Sequence, residues 1–257
     1  MDAVIEVRGL RRTFGDVTAV DGLDLQVGRS QFFGFLGPNG AGKSTTIRML
    51  TGLLRPTAGS IQVLGLDLEH HSVEVKRRIG VVPEGLALFE RLTGTQLLNF
   101  VGRMYGLPRE TAAQRAAELL EFMELGSSAD QLVADYSHGM KKKIALAAAI
   151  IHRPEILFLD EPFEGVDAVA AGLLKSMLQR FIARGGTIFL TSHVMEVVER
   201  LCSHIGIIQY GRLVACASID DLRAGVAVPG SPAMTLEQIF LRVVGGARSH
   251  AGELSWL

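Results

Sequence analysis

The sequence predicts an α/β fold in which a mostly parallel sheet is covered by helices and carries an inserted helical subdomain. Three observations lead there. Short β-branched and apolar runs alternate with helical stretches along most of the chain. A glycine-rich segment, Gly37-Pro38-Asn39-Gly40-Ala41-Gly42-Lys43-Ser44-Thr45, joins one such run to a helix. Between Leu86 and Ala134 the pattern changes to apolar residues at helical spacing with no strand signal.

In chain order, the runs at 3–8, 18–27, 32–36, 60–63, 80–83, 156–160, 187–191, 204–209 and 213–217 read as strands. A helix at 44–53 is stopped by Gly52-Leu53-Leu54-Arg55-Pro56, and helices at 95–105 and 109–125 are parted by Gly106-Leu107-Pro108. Further helices are expected at 139–151 and 236–243. Residues 225–232 read as a Gly/Pro/Ser connection, and the chain from Gly245 as a mobile tail that includes Trp256.

Composition narrows the function. Among 257 residues, 26 Lys+Arg stand against 27 Asp+Glu for a formal net charge of -1, which excludes a bulk polyanion binder, so no nucleic acid partner is expected. A hydrophobic fraction of 48% against 21% charged is that of a globular chain. The mean hydropathy of +0.28 prompts a search for a membrane span. The longest apolar stretch, 144–151, is bracketed by Lys143 and His152-Arg153 and falls well short of the roughly 20 residues a span needs. Met1 to Glu6 contain neither a basic nor an apolar leader segment, so no secretory signal and a cytosolic setting are expected. Cys202 and Cys216 alone make neither a disulfide framework nor a zinc site.

The glycine-rich segment matches G-x-x-x-x-G-K-[ST] and sits between an apolar strand and a helix, the context that pattern requires. Its glycines let successive backbone N–H groups turn inward, and the helix N-terminus adds partial positive charge, so residues 37–45 are candidates to wrap a nucleotide phosphate. Lys43 is expected to reach the β and γ phosphates, a contact of about 4 kcal/mol at 4 Å and an effective dielectric near 20, before desolvation. Ser44 is expected to offer its hydroxyl to Mg²⁺. Farther along, the apolar run 156–159 ends in Asp160-Glu161, as a buried parallel strand does where its carboxyl end meets a ligand. Strand alternation sends the two carboxylates to different sides, Asp160 toward Mg²⁺ and Glu161 toward the water that attacks the γ-phosphate. An isolated Asp-Glu before Pro162 reads only as a solvated turn; its pairing with the phosphate loop is what singles it out.

The phosphate loop, Tyr136-Ser137-His138-Gly139-Met140, Leu159-Asp160-Glu161-Pro162, Gly165-Val166-Asp167 and Thr191-Ser192-His193 occur in one order. Together they resemble the nucleotide-binding subunit of ATP-binding-cassette (ABC) transporters, over residues 3 to about 218. Neither a GTPase nor a kinase accounts for Ser137-Gly139 before the acid pair and His193 after it. The resemblance implies a phosphate-loop NTPase core with an antiparallel N-terminal β portion. It divides the chain into ATP-binding core at 1–85, helical subdomain at 86–136, signature helix and second part of the core at 137–218, and a C-terminal extension at 219–257. It implies that ATP and Mg²⁺ are bound and ATP hydrolysed.

By the same resemblance, Ser137 and Gly139 form the signature that completes the site of a second subunit in a head-to-tail homodimer. Their position at the start of a helix suits a γ-phosphate. His138 and Met140 depart from the family's glycine and glutamine. Taken alone, Ser-His-Gly is an ordinary helix cap. His193 resembles the switch histidine that holds the γ-phosphate and orients Glu161, although a lone His after a strand is more often a cap. Asp167 reads either as the intersubunit aspartate or as the N-cap of the helix that follows. Phe14 stands where the family stacks an aromatic ring on adenine; the other reading is a core Phe at a strand end. Glu84 replaces a glutamine that touches Mg²⁺ and reports to the membrane partner, and otherwise reads as a solvated acid opening the helical insert. Lys141-Lys142-Lys143 reads first as a solvated basic face, and second as an attractor of the partner's nucleotide.

Glu84, the Tyr-Ser-His-Gly-Met signature and the 235–241 pattern resemble the bacterial exporter branch that includes drug and antibiotic ATP-binding subunits. That implies a peripheral subunit on the cytoplasmic face of the membrane, docked on a separate permease. The competing class is a soluble ABC protein acting on ribosomes or DNA. A single cassette, a short insert and no basic excess argue against it.

Overall fold

The computed structural model describes residues 3–226 and 234–244. Two sheets and their covering helices build it. Strands β1 (Ala3–Phe14), β2 (Val17–Gly28), β4 (Ala58–Val63) and β5 (Leu66–Asp67) form an antiparallel sheet in the order β2-β1-β4-β5. The second sheet is built from β3 (Phe32–Leu36), β6 (Ile79–Val82), β7 (Ile156–Asp160), β8 (Thr187–Ser192), β9 (His204–Gln209) and β10 (Arg212–Ser218). Its order is β10-β9-β3-β8-β7-β6, parallel throughout except for the β9–β10 hairpin at one edge. The fold is the expected mixed α/β class, with the antiparallel portion at the N-terminal end. β1 is longer than expected because it turns directly into β2 through residues 15–16, with register shifts between Val7 and Arg12 that let it follow the twist.

Both faces of the parallel sheet are buried, which explains its nearly continuous apolar strands. Alternation divides them. Phe33, Phe35, Phe158 and Phe189 pack toward the antiparallel sheet, with Phe189 stacked on Phe33 and tilted against Phe35 and Phe158 at ring distances of 5.4–5.8 Å. Phe32, Leu36, Leu157, Leu159, Ile188 and Leu190 pack toward the helices on the other side. A core of this size, with apolar side chains wholly removed from water on both faces, is the main stabilising term.

The helices are α1 (Lys43–Leu50), α2 (Ser72–Arg78), α3 (Gly94–Met104), α4 (Arg109–Phe122), α5 (His138–Ile150), α6 (Ala168–Ala183), α7 (Met195–Leu201), α8 (Ile219–Val226) and α9 (Leu236–Val244). α3 opens on a complete capping box, Thr93 Oγ1 accepting from the Gln96 N–H while Gln96 Oε1 accepts from the Thr93 N–H. Glu124, at positive φ, closes the turn after α4, so that helix ends short of 125. α2, α7, α8 and β5 are elements the sequence pattern did not single out. α8 takes in the first two residues of the expected 225–232 connection; 227–233 and the tail from Gly245, with Trp256, lie outside the described residues.

Candidate functional site

The order β9-β3-β8-β7 brings the carboxyl ends of three strands that are far apart in sequence to one edge, the place where open α/β sheets bind ligands. β3 delivers the glycine-rich loop, β7 delivers Asp160 and Glu161, and β8 delivers Thr191 to His193. A cleft of about 370 Å³ opens there, lined by residues that include Gly40, Lys43, Ser44, Glu84, Glu161 and His193. A larger groove of about 460 Å³ lies between α1 and α2, near Arg55 and Lys76. It shares no residue with the cleft and gathers no comparable acid–base pair, so the chemistry is assigned to the smaller one.

Two glycines give the loop its shape. Gly42 caps α1 at φ 108, and a Cβ there meets the Ala19 carbonyl at 2.5 Å; a Cβ on Gly37 meets the Ile208 carbonyl at 2.4 Å. The loop therefore lies flush on β2 and β9 with its N–H groups at the helix N-terminus. α1 starts at Lys43, one residue earlier than expected. The Lys43 side chain is buried, and Nζ donates to the carbonyls of Gly37 at 2.8 Å and Pro38 at 3.2 Å. Ser44 Oγ donates to Asp160 Oδ1 at 3.3 Å and lies 3.5 Å from Glu84 Oε2.

Asp160 and Glu161 point apart, but not through strand alternation. β7 ends at Asp160, and Glu161 stands in the left-handed region at φ 48, a conformation costing about 1–2 kcal/mol for a residue with a side chain. Its contacts hold it there. The Glu161 N–H donates to the Thr191 carbonyl and to Thr191 Oγ1, each at 3.2 Å. Glu161 Oε2 accepts the backbone N–H of His193 at 3.3 Å and lies 3.0 Å from His193 Nδ1, a donor in the tautomer protonated there. The carbonyl accepts from Lys142 Nζ at 3.0 Å.

Thr191 was not a candidate, yet its hydroxyl joins both acids. While accepting from Glu161 it donates to Asp160 Oδ1 at 2.5 Å. The signal was hidden because Thr191 faces Asp160 only through the β7–β8 register, which pairs residues 31 apart.

The reading of 141–143 as a solvated basic face is overturned. Lys142 and Lys143 are 2% and 8% exposed. Only Lys141 stays toward the rim, paired with Glu90 at 2.7 Å. Burial pushes the Lys142 ammonium below the ordinary lysine range, and Glu164, Glu161, Glu84 and Asp160 push it back up. A helical wheel carries the missed signal: Lys142 heads the buried stripe of Ala145, Leu146 and Ala149 at i+3, i+4 and i+7.

At the start of α5, Ser137 is the N-cap, Oγ accepting the Met140 N–H at 3.2 Å, and is exposed, as is His138. His138 Nε2 lies 3.2 Å from the Glu164 carbonyl. Asp167 caps α6, accepting from Val169 and Ala170 N–H at 2.9 Å, bonds that hold its carboxyl below the usual range. It also adjoins the signature, since a Cβ on Gly139 meets Asp167 Oδ2 at 3.4 Å. Phe14 is no core residue. It is 46% exposed at the end of β1, with the Arg12 guanidinium 4.4 Å over its ring. Glu84 is exposed and lines the cleft.

For Mg²⁺ the donor set fits. Ser44 Oγ, Asp160 Oδ1 and Glu84 Oε2 are hard oxygens gathered at one point, as suits an ion that takes one or two protein oxygens beside water and phosphate. Among the described residues no group of three or more His, Cys, Asp or Glu offers a metal site made by protein alone.

A phosphate loop at a helix N-terminus, a strand-end acid beside its serine and a second acid paired with a histidine define a phosphate-loop nucleotide hydrolase. Comparison with known proteins narrows this. The ABC transporter family pattern matches residues 20–164, and the chain belongs to that family as an ATP-binding, ATP-hydrolysing domain. It is 41% identical over 215 residues to the Nod factor export ATP-binding protein I of Cupriavidus metallidurans, covering 84% of this chain and 71% of that protein. It is 39% identical over 219 residues to the linearmycin resistance ATP-binding protein LnrL of Bacillus subtilis, covering 85% and 70%. A solved structure described as the ATP binding subunit of an ABC transporter superposes with a TM-score of 0.86 at 29% identity, covering 93% of this chain and 99% of that one.

Proposed function

We propose that this chain is the ATP-hydrolysing subunit of an exporter, working as a head-to-tail homodimer beneath a separate permease on the cytoplasmic face of the membrane. The observation that carries the chemistry is the Glu161–His193 pair at the mouth of the phosphate-loop cleft. Export is supported by the relatives, one of them a Nod factor export protein and another a linearmycin resistance protein. A separate permease accords with the described residues, among which no helix is long and apolar enough to cross a membrane.

In this reading, residues 37–45 wrap the phosphates and Lys43 leaves the Gly37 and Pro38 carbonyls for the β and γ phosphates. Ser44 and Asp160, with Glu84 at the rim, hold Mg²⁺, which when bound neutralises phosphate charge. Glu161 takes the proton of the attacking water, and His193 keeps the Glu161 carboxylate aimed while contacting the γ-phosphate. The Phe14 ring, exposed, stacks on adenine. Ser137 and Gly139 present a hydroxyl and backbone N–H groups to the partner subunit's γ-phosphate, and Asp167 lies beside them at the intersubunit seam. Two bound ATP close the dimer and hydrolysis reopens it, biasing the permease between two states.

Purification of the chain from gently solubilised membranes of its host tests the assembly. A multi-span membrane protein is expected at a stoichiometric ratio. Recovery with ribosomes or nucleic acid instead removes the permease and leaves the ATPase standing.

A further inference from the structure

With Glu161 as the acceptor of the water proton, one buried cation near the site has no role. Lys142 lies one turn into α5, 2% exposed, and its Nζ donates to the Glu161 carbonyl at 3.0 Å. A buried ammonium is retained only where acceptors and opposite charges surround it. Here they are Glu161 and Glu164, with Glu84 and Asp160 beyond. The carbonyl it holds belongs to the left-handed residue at φ 48, and such a conformation persists when its surroundings over-determine it. The N–H side of that residue is held by Thr191 and the carbonyl side by Lys142 at 3.0 Å, with the Glu164 N–H a longer second donor at 3.3 Å.

α5 grips the same turn a second time. His138 Nε2 lies 3.2 Å from the Glu164 carbonyl, and its ring packs so close to Gly165 that a Cβ there meets Nε2 at 3.1 Å. The helix whose first residues are exposed as the signature therefore holds the turn at 161–165 at two points, Lys142 and His138.

Resting on the role proposed for Glu161, we infer that Lys142 is a positioning residue for hydrolysis. From the signature helix it fixes the Glu161 carbonyl, and with it the turn that sets the Glu161 carboxylate on His193. His138 supplies the second grip. A nucleotide met by the signature of one subunit is thereby coupled to the acid of that same subunit's own site.

The test is steady-state ATP hydrolysis by the full chain over a range of Mg-ATP concentrations, for Lys142→Met, Lys142→Arg, His138→Ala and Glu161→Gln. Lys142→Met keeps the apolar stem and removes the donors. Its kcat is expected to fall roughly 10- to 100-fold, the loss of one charge-assisted bond, with KM within about twofold of the parent. Lys142→Arg recovers part of that loss, since a donor returns to the Glu161 carbonyl. Parental kcat in Lys142→Met overturns the inference, as does a loss matched by an equal rise in KM and not relieved by arginine. If Lys142→Met does not fold, His138→Ala decides, because His138 is exposed and outside the core: a kcat lowered about threefold or more at unchanged KM supports the grip, and parental kcat overturns it. Glu161→Gln separates the two levels. If it turns over normally, the reading of the site falls and the inference with it; if it is inactive while Lys142→Met is normal, the inference alone falls.

Discussion

The acid end of the parallel sheet and the signature end of α5 are built from similar residues and differ in how many partners they find within one chain. Asp160, Glu161 and Thr191 are buried and hold one another in a closed network that reaches Ser44, His193 and Lys142. Ser137 and His138 are exposed, and the Ser137 hydroxyl is engaged by its own helix cap. A buried network with every polar group satisfied is rigid and self-sufficient. A capped helix N-terminus turned outward leaves its remaining N–H groups to solvent or to a partner. The contrast supports division of labour between subunits, with the acid acting in its own chain and the signature on the partner's nucleotide.

The sharpest break of that comparison is a mixing experiment, and it carries the largest effect. Glu161→Gln is expected to keep ATP binding and lose at least about 100-fold in turnover, as removal of a general base does. Ser137→Glu places a carboxylate at the helix start, where the helix dipole tolerates it but where it faces phosphate, and turnover falls to a similar level. Mixed in equal amounts, the two inactive chains should regain part of the activity. In a head-to-tail dimer of one chain of each kind, one site collects both substitutions and the other is intact. No recovery on mixing would falsify the division.

Thr191→Val sharpens the acid end. It is nearly isosteric and removes the hydroxyl from both Asp160 and Glu161. Leaving buried partners short of a bond costs about 1–3 kcal/mol, to be read from denaturant unfolding midpoints, and turnover should fall with it. An unchanged midpoint would show that the network is not held through this hydroxyl.

The smallest effect lies at the far end of α5. His152 follows that helix, its ring stacked on Tyr105 at 3.6 Å and its Nε2 3.0 Å from the Ile79 carbonyl, tying α5 to β6 and to the end of α3. Burial pushes its pKa below the ordinary imidazole value; the Ile79 carbonyl opposes this, and Arg115 adds to it. The folded protein thus binds fewer protons here than the unfolded chain, so this contribution is complete above about pH 6.5 and shrinks as pH falls through the lowered value. The thermal midpoint should drop between pH 7.5 and 5.5 by about 2–4 °C more in the parent than in His152→Gln. Equal slopes in the two proteins would remove His152 as the cause.

Much of the molecule was legible in its sequence. The phosphate loop announces itself because its residues are contiguous and its chemistry, glycines before Lys43 and Ser44, is local. The five parallel strands, β3 and β6 to β9, were readable from apolar runs, since strands buried on both faces have little room for polar residues. What stayed open or failed depended on neighbours distant in sequence. Phe14 is exposed rather than core, a matter of where the β1–β2 hairpin ends. The lysines at 141–143 looked solvated because three adjacent charges usually are, whereas α5 lies with its Lys142 side against the turn after β7.

By itself, the sequence determined the α/β class, the phosphate loop, the strand-end acids and their membership in one ordered set of motifs, because each is written in adjacent residues. Only the tertiary structure decided that Glu161 leaves its strand in a left-handed turn, that Thr191 joins the two acids and that Lys142 is buried beneath them. Those depend on strand register and helix rotation, which bring together residues 19 to 31 positions apart.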